Sequence, residues 1–387
     1  MAGWRHGARG QHAGPAWPPP LFRPAPGAGL AGCLIACPAV EIPDDIFDCA
    51  GAREWVSACP EYAPSPLSLV PLAEFEGRRI WLKDESRRMN LGSFKALGGV
   101  YAIARIIANK TGGDIEPAAL VSEDARRVAS RLCFVTASAG NHGLSVAAGA
   151  RIFGASSRIH IAETVAEAFA LRLRAQGAEV LRSGEIYEDS LAAAAADDAR
   201  RTGATHLTDT SWPGSVESAR LIMEGYTILA GELEAAFTDS GEWPSRVYLQ
   251  AGVGGLAAAI AWSIRQSWDI QPEITVVEPD RAACLQASVA AGKLVTVAGP
   301  VSNMGRLDCK TPSSLAFDIL KSAANRFVTV SDEEAELAAR RLATLDVRGG
   351  IASTPSGTAG LAACLREDGP GTPLVIISEG DPGNGES

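Results

Sequence analysis

The stretch LGSFKALGG, residues 91–99, places one lysine, Lys95, between a turn of glycine and serine and the predicted first turn of a helix. Its small and apolar neighbours, among them Phe94 and Leu97, predict a pocket with few polar groups. A lysine that forms a Schiff base needs a neutral fraction at about pH 7, and desolvation supplies this by lowering the pKa of the amine. The motif alone fits equally well a lysine whose charged end reaches solvent from the start of a helix.

Outward from this motif, short apolar runs bounded by turns alternate with alanine-rich helical stretches from about residue 45 onward. Predicted strands lie in RIWLKDE (79–85), LCFVTASAGNHG (132–143), RVYLQAGVGGLAAAIAWSI (246–264), ITVVEPDRAACLQASVAAG (274–292) and PLVIISEGD (373–381). This alternation predicts an α/β fold with a parallel sheet covered by helices on both faces. Ligands of open α/β sheets bind at the carboxyl ends of the strands, so the turns after these strands are the expected sites of chemistry.

The composition limits the class of protein. The chain has 387 residues, of which 47% are hydrophobic and 21% charged, enough apolar material for two domains. A net charge of −10 argues against nucleic-acid binding, which relies on clustered Lys and Arg. No apolar run reaches the roughly 18 residues of a membrane span, and the eight cysteines contain no CxxC pair, so no membrane, metal or disulfide role is predicted. Cysteine use of this kind favours a reducing, cytoplasmic location.

The first forty residues differ from the rest, because they are rich in Gly, Pro, Ala and Arg and show neither the strand period nor the helix period. Residues 1–43 are therefore predicted to form a disordered extension. A secretion signal fits this stretch poorly, since prolines interrupt the region ahead of its short apolar run, LAGCLIACPAV.

The turn QAGVGGL, residues 250–256, follows a predicted strand and leads into a helix. The glycines at 252, 254 and 255 let backbone N–H groups converge on an anion, and the helix N-terminus adds partial positive charge, so a phosphate is expected there. Neither a P-loop nor a GxGxxG fingerprint is present, and a turn made only for packing would look similar. Together with Lys95, however, this loop indicates pyridoxal phosphate, because that cofactor needs one anchor for each end.

A third motif, TASAGNHG, occupies residues 136–143. Ser138, Gly140 and Asn141 form a polar turn whose backbone donors can hold a carboxylate and whose amide can reach a ring hydroxyl. His142 is predicted to be a structural histidine bonded to the backbone rather than a catalytic base, because no carboxylate close by in sequence orients it.

These motifs carry a resemblance to a known family. LGSFKALGG, SAGNHG, AGVGGL and SEGD occur in the order, and at about the spacing, of the fold-type II pyridoxal phosphate enzymes, the tryptophan synthase β-like group. KDESRRMNLGSFKALGGVYA, DTSWPG, IMEGYTILAGEL and MGRLDCKTPSS are similar, more narrowly, to the diaminopropionate ammonia-lyases. The resemblance covers about residues 45–381 and implies two open, mostly parallel α/β domains with the cofactor in the cleft between them. The large domain would comprise 44–110 and 205–387, and the small domain 111–204.

The resemblance implies the roles of the cofactor-binding residues. Lys95 would be the Schiff-base lysine and, once released, the base that takes the Cα proton. Asn141 would bond the 3′ oxygen of the ring, and Ser378 would face the pyridine nitrogen, although Glu379 and Asp381 lie close enough to confuse that assignment. The phosphate would be bound by Gly252, Val253, Gly254, Gly255 and Leu256.

The resemblance also implies how the substrate is held. Backbone donors of Ser138, Ala139 and Gly140 would bind its carboxylate. Asp209, in TDTSW, matches an acidic position near the substrate amine or in proton transfer, and it fits a helix N-cap or a turn equally well. Relatives that accept both enantiomers commonly carry aspartate where this chain has Ala139, so use of the D isomer is not expected.

The predicted activity is α,β-elimination from a small L-amino acid, foremost 2,3-diaminopropionate, giving pyruvate and ammonia. A serine, threonine or hydroxyaspartate dehydratase stays open, because SAGNHG is closer to the SSGNHG of dehydratases and racemases. A non-catalytic sensor of the same fold is the third hypothesis, against which stands the joint presence of Lys95, the glycine loop and the asparagine turn. A homodimer is expected from the resemblance alone.

Overall fold

The computed structural model describes residues 43–72, 78–112, 115–200, 202–345, 347 and 349–384. The predicted disordered extension, residues 1–43, lies outside this part of the chain except for its last residue. Through its backbone carbonyl, Pro43 accepts a hydrogen bond of 2.9 Å from Nε1 of Trp262. The first described residue is thus already attached to the main core.

The strands of the described residues form two sheets. They are β1 Leu67–Pro71, β2 Arg79–Asp84, β3 Cys133–Ala137, β4 Ser156–Ile161, β5 Glu179–Arg182, β6 Ala204–His206, β7 Arg246–Gln250, β8 Glu273–Pro279, β9 Arg326–Val330 and β10 Pro373–Ile377. The six-stranded sheet has the order β1-β2-β10-β7-β8-β9, and the four-stranded sheet has the order β5-β4-β3-β6. Only the β1–β2 pair is antiparallel among these ladders.

Helices connect the strands and cover the sheets. They are α1 Cys49–Ser57, α2 Lys95–Lys110, α3 Glu123–Ala129, α4 Asn141–Phe153, α5 Glu167–Ala175, α6 Tyr187–Arg200, α7 Glu217–Ser240, α8 Gly255–Ser267, α9 Cys284–Ala291, α10 Ser314–Ala323, α11 Asp332–Thr344 and α12 Pro355–Arg366. Short 3-10 turns lie at Arg88–Asn90, Pro117–Val121 and Pro382–Asn384.

Burial explains why β7 and β10 lie inside the larger sheet. Every residue of both strands is buried, as expected for parallel strands that are covered on both faces. Some helices begin at a side-chain cap, as where the hydroxyl of Thr354 accepts a hydrogen bond from the N–H of Gly357 behind Pro355 at the start of α12. Helix α2 packs against both α4 and α7, so it connects the helical layers of the two sheets.

The predicted fold class, α/β with mostly parallel strands in two sheets, is confirmed. The domain bounds stay a prediction, and β6 Ala204–His206 spans the predicted boundary at 204 while it belongs to the four-stranded sheet. Within the described ranges no helix combines the length and the apolar character that a membrane crossing requires.

Candidate active site

Lys95 is the first residue of α2, and it directly follows a turn that is attached to the end of β10. The N–H of Phe94 donates to the carbonyl of Ser378 at 3.1 Å, and the N–H of Gly380 donates to the carbonyl of Gly92 at 2.9 Å. Gly92 has φ +83°, in the left-handed region that favours glycine. The residues that follow β10 therefore fix the position of the lysine.

The two glycines after the lysine serve close helix packing. A Cβ on Gly98 would lie 2.6 Å from the carbonyl oxygen of Ile222 in α7. A Cβ on Gly99 would lie 2.2 Å from Oγ of Ser145 in α4. Neither distance leaves room for a side chain, so only glycine allows α2 to approach both helices this closely. This close packing holds the first turn of α2 between the two sheets.

The amine of Lys95 is paired with a carboxylate from a distant part of the chain. Its Nζ donates a hydrogen bond to Oδ2 of Asp209, and the two side chains are 23% and 19% exposed. Asp209 lies ahead of α7, whose N-cap position is Val216, so its carboxylate does not cap that helix. The ring of Phe94 lies beside the pair, with its centroid 5.7 Å from Nζ.

The pair controls the charge of both groups. Burial by itself lowers the pKa of Lys95, but the charge and hydrogen bond of Asp209 outweigh burial and raise that pKa above its ordinary value. Burial also acts to raise the pKa of Asp209, and the ammonium of Lys95 outweighs it, so that pKa lies well below its usual range. Both groups are charged at neutral pH. The predicted lowering of the lysine pKa is therefore wrong for this arrangement, because the sequence indicated the burial but not the opposing carboxylate.

The glycine loop after β7 lies against this pair. Gly254 has φ +100°, so the loop turns into α8 through a backbone conformation that disfavours side chains. A Cβ on Gly252 would lie 3.0 Å from Sγ of Cys309, and one on Gly255 would lie 4.0 Å from the backbone oxygen of Asp209. The loop thus presents bare backbone beside the backbone of Asp209, the residue whose carboxylate bonds the lysine.

The residues around the loop fit pyridoxal phosphate. The first N–H groups of α8 have no partner inside their own helix, and they are the donors that a phosphate needs. Leu256, in that first turn, is 6% exposed. The carbonyl of Val253 accepts a hydrogen bond of 2.9 Å from the N–H of Ser313, so this acceptor of the loop already has a partner. A buried hydroxyl, Oη of Tyr226, also has no hydrogen-bond partner among the described residues. The chemistry of this donor set matches an anionic group.

The asparagine turn opens α4 on the other sheet. Ser138, Ala139, Gly140 and Asn141 are all half-buried. The N–H of Gly140 donates to Oγ of Ser138 at 3.2 Å, so one of the donors predicted for the substrate carboxylate is already bonded within the turn. Nδ2 of Asn141 donates to the carboxylate of Glu379, beyond the end of β10. This contact connects the two sheets at the site.

Glu379 is a site residue to which sequence reasoning gave no role. It is 4% exposed, and besides Asn141 its carboxylate accepts a hydrogen bond from the hydroxyl of Thr354. Nε of Arg306 lies 3.5 Å from its Oε2, and the guanidinium of Arg306 lies over the ring of Phe169, 5.8 Å from the centroid. The SEGD motif was the available signal, but it could not show which of its polar residues turns inward.

The other two polar residues of SEGD differ in position. Ser378 is 4% exposed, and its backbone bonds Phe94 and Gly357, so it lies beside the residue that precedes Lys95. Asp381 is exposed, and its carboxylate accepts a hydrogen bond from the N–H of Gly383. Of the residues considered for the ring nitrogen, the structure thus brings Ser378 toward the lysine and leaves Asp381 at the surface.

His142 has the contact expected of a structural histidine. Its Nε2 donates to the carbonyl of Leu207 at 3.0 Å, and its side chain is buried. Burial lowers its pKa, so the ring is neutral at neutral pH. Through Leu207, which lies just ahead of Asp209, this bond ties the start of α4 to the loop that carries the carboxylate.

Known proteins resemble this chain in sequence and in fold. The family model of pyridoxal-phosphate dependent enzymes matches residues 59–379. The diaminopropionate ammonia-lyase of Escherichia coli (strain K12) is 33% identical over 296 residues, which cover 75% of this chain and 74% of that protein. A probable D-serine dehydratase of Chromobacterium violaceum is 29% identical, over 79% of this chain and 72% of that protein. A crystal structure of the E. coli diaminopropionate ammonia-lyase in complex with D-serine superposes with a TM-score of 0.75 at 28% identity, over 87% of this chain and 93% of that one.

Proposed function

The chain belongs to the pyridoxal-phosphate dependent enzymes, and from that premise we propose that it is a lyase acting on 2,3-diaminopropionate. The reaction takes up one water and gives pyruvate and two molecules of ammonia. The observation that carries the proposal is the contact of Lys95 with Asp209 beside the glycine loop after β7, because an amine next to a phosphate cradle provides an anchor for each end of the cofactor.

In this proposal the cofactor is held at three places. Lys95 would bind it covalently, the loop Gly252–Leu256 would bind its phosphate, and Asn141 and Ser378 would contact the ring. Bound there, the cofactor supplies an electron sink that makes the proton on the substrate Cα acidic. Support for these roles comes from the position of the loop against Asp209 and of Ser378 against the turn that carries the lysine.

Removal of the proton from the substrate Cα is assigned to Nζ of Lys95. After the proton has been taken, Nζ is an ammonium, and the carboxylate of Asp209 favours that form through its charge and hydrogen bond. Asp209 in this way lowers the free energy of the state that follows proton transfer, and it orients Nζ at the same time. The β-amine then leaves from the neighbouring carbon.

The substrate carboxylate is assigned to the turn Ser138–Gly140. Asn141 is held in place by Glu379, so the turn is fixed to the end of β10. Ala139 has no acidic group, and the chain therefore provides no second base at this position. We accordingly expect the L isomer to be the substrate.

A substrate panel tests the proposal. Pyruvate or 2-oxobutyrate release is measured with L- and D-2,3-diaminopropionate, L- and D-serine, L-threonine and L-threo-3-hydroxyaspartate. Activity highest on L-2,3-diaminopropionate supports the proposal. Activity on a hydroxy amino acid without activity on diaminopropionate overturns the substrate and leaves a dehydratase, the second candidate, which the 29% identical probable D-serine dehydratase favours. Binding of the cofactor without any turnover would instead favour a sensor.

Assembly and location complete the proposal. A homodimer in the cytoplasm is expected, and the domains are proposed at 44–110 with 205–387 and at 111–204. Support comes from the family resemblance and from the sequence composition. Light scattering behind size exclusion gives the oligomeric state directly, and a monomeric mass would contradict the proposed dimer.

A further inference from the structure

Tyr226, in α7, has a buried hydroxyl without a hydrogen-bond partner in the described part of the chain. Its side chain is 2% exposed. Other tyrosines of this protein are satisfied: Oη of Tyr101 donates to Glu224 at 2.5 Å, and Oη of Tyr248 donates to Glu367 at 2.8 Å. Buried tyrosine hydroxyls normally have a hydrogen-bond partner, and a buried hydroxyl without one costs about 1–3 kcal/mol. We therefore expect a bound ligand to supply the hydrogen-bond partner of the Tyr226 hydroxyl.

The ring of Tyr226 lies between the two proposed anchors of the cofactor. It meets the ring of Phe94 edge to face, with centroids 4.9 Å apart. A Cβ on Gly98 would lie 2.5 Å from its Cε1, and a Cβ on Gly255 would lie 3.8 Å from its Cε2. These two ring carbons flank the carbon that bears the hydroxyl, so the hydroxyl lies between the first turn of α2 and the first turn of α8.

The surroundings of the hydroxyl favour an anion. The N-terminus of α8 carries partial positive charge and free N–H groups, and the ammonium of Lys95 acts on the same phenol. Burial, together with the negative charge of Asp209, raises the pKa of Tyr226 above its ordinary value. The phenol is therefore protonated at neutral pH and serves as a hydrogen-bond donor.

We propose that Tyr226 is a further cofactor-binding residue, whose hydroxyl donates a hydrogen bond to the phosphate group of pyridoxal phosphate at the start of α8. The inference rests on the proposed function for the cofactor and adds to it a side-chain donor. The backbone N–H groups of the loop can bind any phosphate of suitable shape. The hydroxyl of Tyr226 adds a hydrogen bond that is made only by a phosphate inserted as deeply as that of the bound cofactor.

The test compares Tyr226→Phe with wild type and with Tyr101→Phe, a matched control that also loses one buried hydroxyl. Each protein is stripped of cofactor, its thermal unfolding is recorded, and the dissociation constants of pyridoxal phosphate and of pyridoxal, which lacks the phosphate, are measured by absorbance. For Tyr226→Phe we expect unchanged or higher stability without cofactor, and about tenfold weaker binding of pyridoxal phosphate with unchanged binding of pyridoxal. For Tyr101→Phe we expect lower stability and wild-type affinities.

Equal weakening of both ligands by Tyr226→Phe would overturn the phosphate contact. Unchanged affinity for pyridoxal phosphate, with a loss of stability like that of the control, would show that the hydroxyl bonds within the protein and would overturn the inference altogether. If wild type itself fails to bind pyridoxal phosphate, the proposed function fails first, and the inference with it. These outcomes are distinct because the wild-type titration is read independently of the variants.

Discussion

Two buried charge clusters of this protein differ in how completely they are satisfied. In the first, called here the closed cluster, Lys83, Arg88, Glu85 and Glu232 neutralise one another with side chains at most 7% exposed. Arg88 donates to Glu85 at 2.7 Å and to Glu232 at 2.8 Å, and Lys83 also donates to the carbonyl of Ser65 at 2.9 Å. The second, the open cluster, comprises Lys95 and Asp209 with Tyr226 beside them.

The open cluster contains a polar group without a partner in the described residues, the hydroxyl of Tyr226, and Nδ1 of His142, which is near enough to act on the charge of Asp209, also has none there. Its charged side chains are also about one-fifth exposed. A buried charge that is fully satisfied contributes to the fold, whereas a charged group surrounded by polar atoms without partners marks a place where a ligand completes the set. The difference between two lysines, Lys83 and Lys95, thus separates structure from function more clearly than burial alone.

The largest effect is expected for Lys95→Ala. Removing the proposed covalent anchor and base should lower pyruvate release from L-2,3-diaminopropionate by more than about 10³-fold. The fold should persist, because the lysine is partly exposed and belongs to the open cluster. Measurement of pyruvate release tests the expected loss of turnover, and thermal unfolding tests whether the fold persists. Substantial residual turnover would show that Lys95 is not a catalytic residue.

Lys83→Met is the counterpart in the closed cluster. It leaves the carbonyl of Ser65 and part of the charge of Glu232 uncompensated, so we expect the free energy of unfolding to fall by about 3 kcal/mol. Turnover per folded molecule should stay near that of wild type. Denaturant unfolding and active-site titration separate the two quantities, and a loss of turnover with unchanged stability would contradict the division into two clusters.

Asp209→Asn changes how the charges of the open cluster depend on pH. The carboxylate raises the pKa of Lys95, and its own pKa is depressed. The pair therefore stabilises the fold fully between about pH 4 and about pH 10, and this contribution is lost as Asp209 is protonated below that window or Lys95 is deprotonated above it.

With asparagine in place of Asp209, burial dominates and the pKa of Lys95 falls. The stripped variant should capture added pyridoxal phosphate at least about tenfold faster at about pH 8, because more of the amine is neutral. Stopped-flow absorbance measures the capture rate, and Glu379→Gln, which changes a carboxylate bonded to Asn141 instead, is the control. Equal or slower capture by Asp209→Asn would contradict the assigned charge states.

The smallest effect is expected for Gly254→Ala. Its φ of +100° strains alanine, and the added Cβ would lie 3.0 Å from side chains of Ala316 and Leu285, so we expect a loss of at least about 1 kcal/mol together with weaker cofactor binding. Gly292→Ala is the matched control, since Gly292 has φ +66° and open space around it. Both variants should lose stability, but a similar loss of cofactor affinity in the control would contradict a specific role of the loop.

Much of the fold was accessible from the sequence, because strands such as β7 and β10 contain short apolar runs that lead into turns of glycine or polar residues. Five strands of the described residues, β1, β4, β5, β6 and β9, were not identified. β5 Glu179–Arg182 has charged ends and no fully buried residue, and β6 Ala204–His206 has only three residues. Their pairing depends on neighbouring strands rather than on local preference.

The turns of the site were also accessible from the sequence, but their contacts across the molecule were not. Lys95 and Asp209 are 114 positions apart, and Asn141 and Glu379 are 238 apart. The strand order decides such contacts, and a motif does not encode it. The pKa of Lys95 was predicted in the wrong direction for this reason, since burial can be inferred locally and a distant carboxylate cannot.

We propose that the open cluster, and not the closed one, holds the cofactor. The protein loaded with pyridoxal phosphate is reduced with borohydride, digested and analysed by peptide mass spectrometry. We expect a phosphopyridoxyl group on Lys95 and none on Lys83. A label on Lys83 or on another lysine, with Lys95 unmodified, would contradict it.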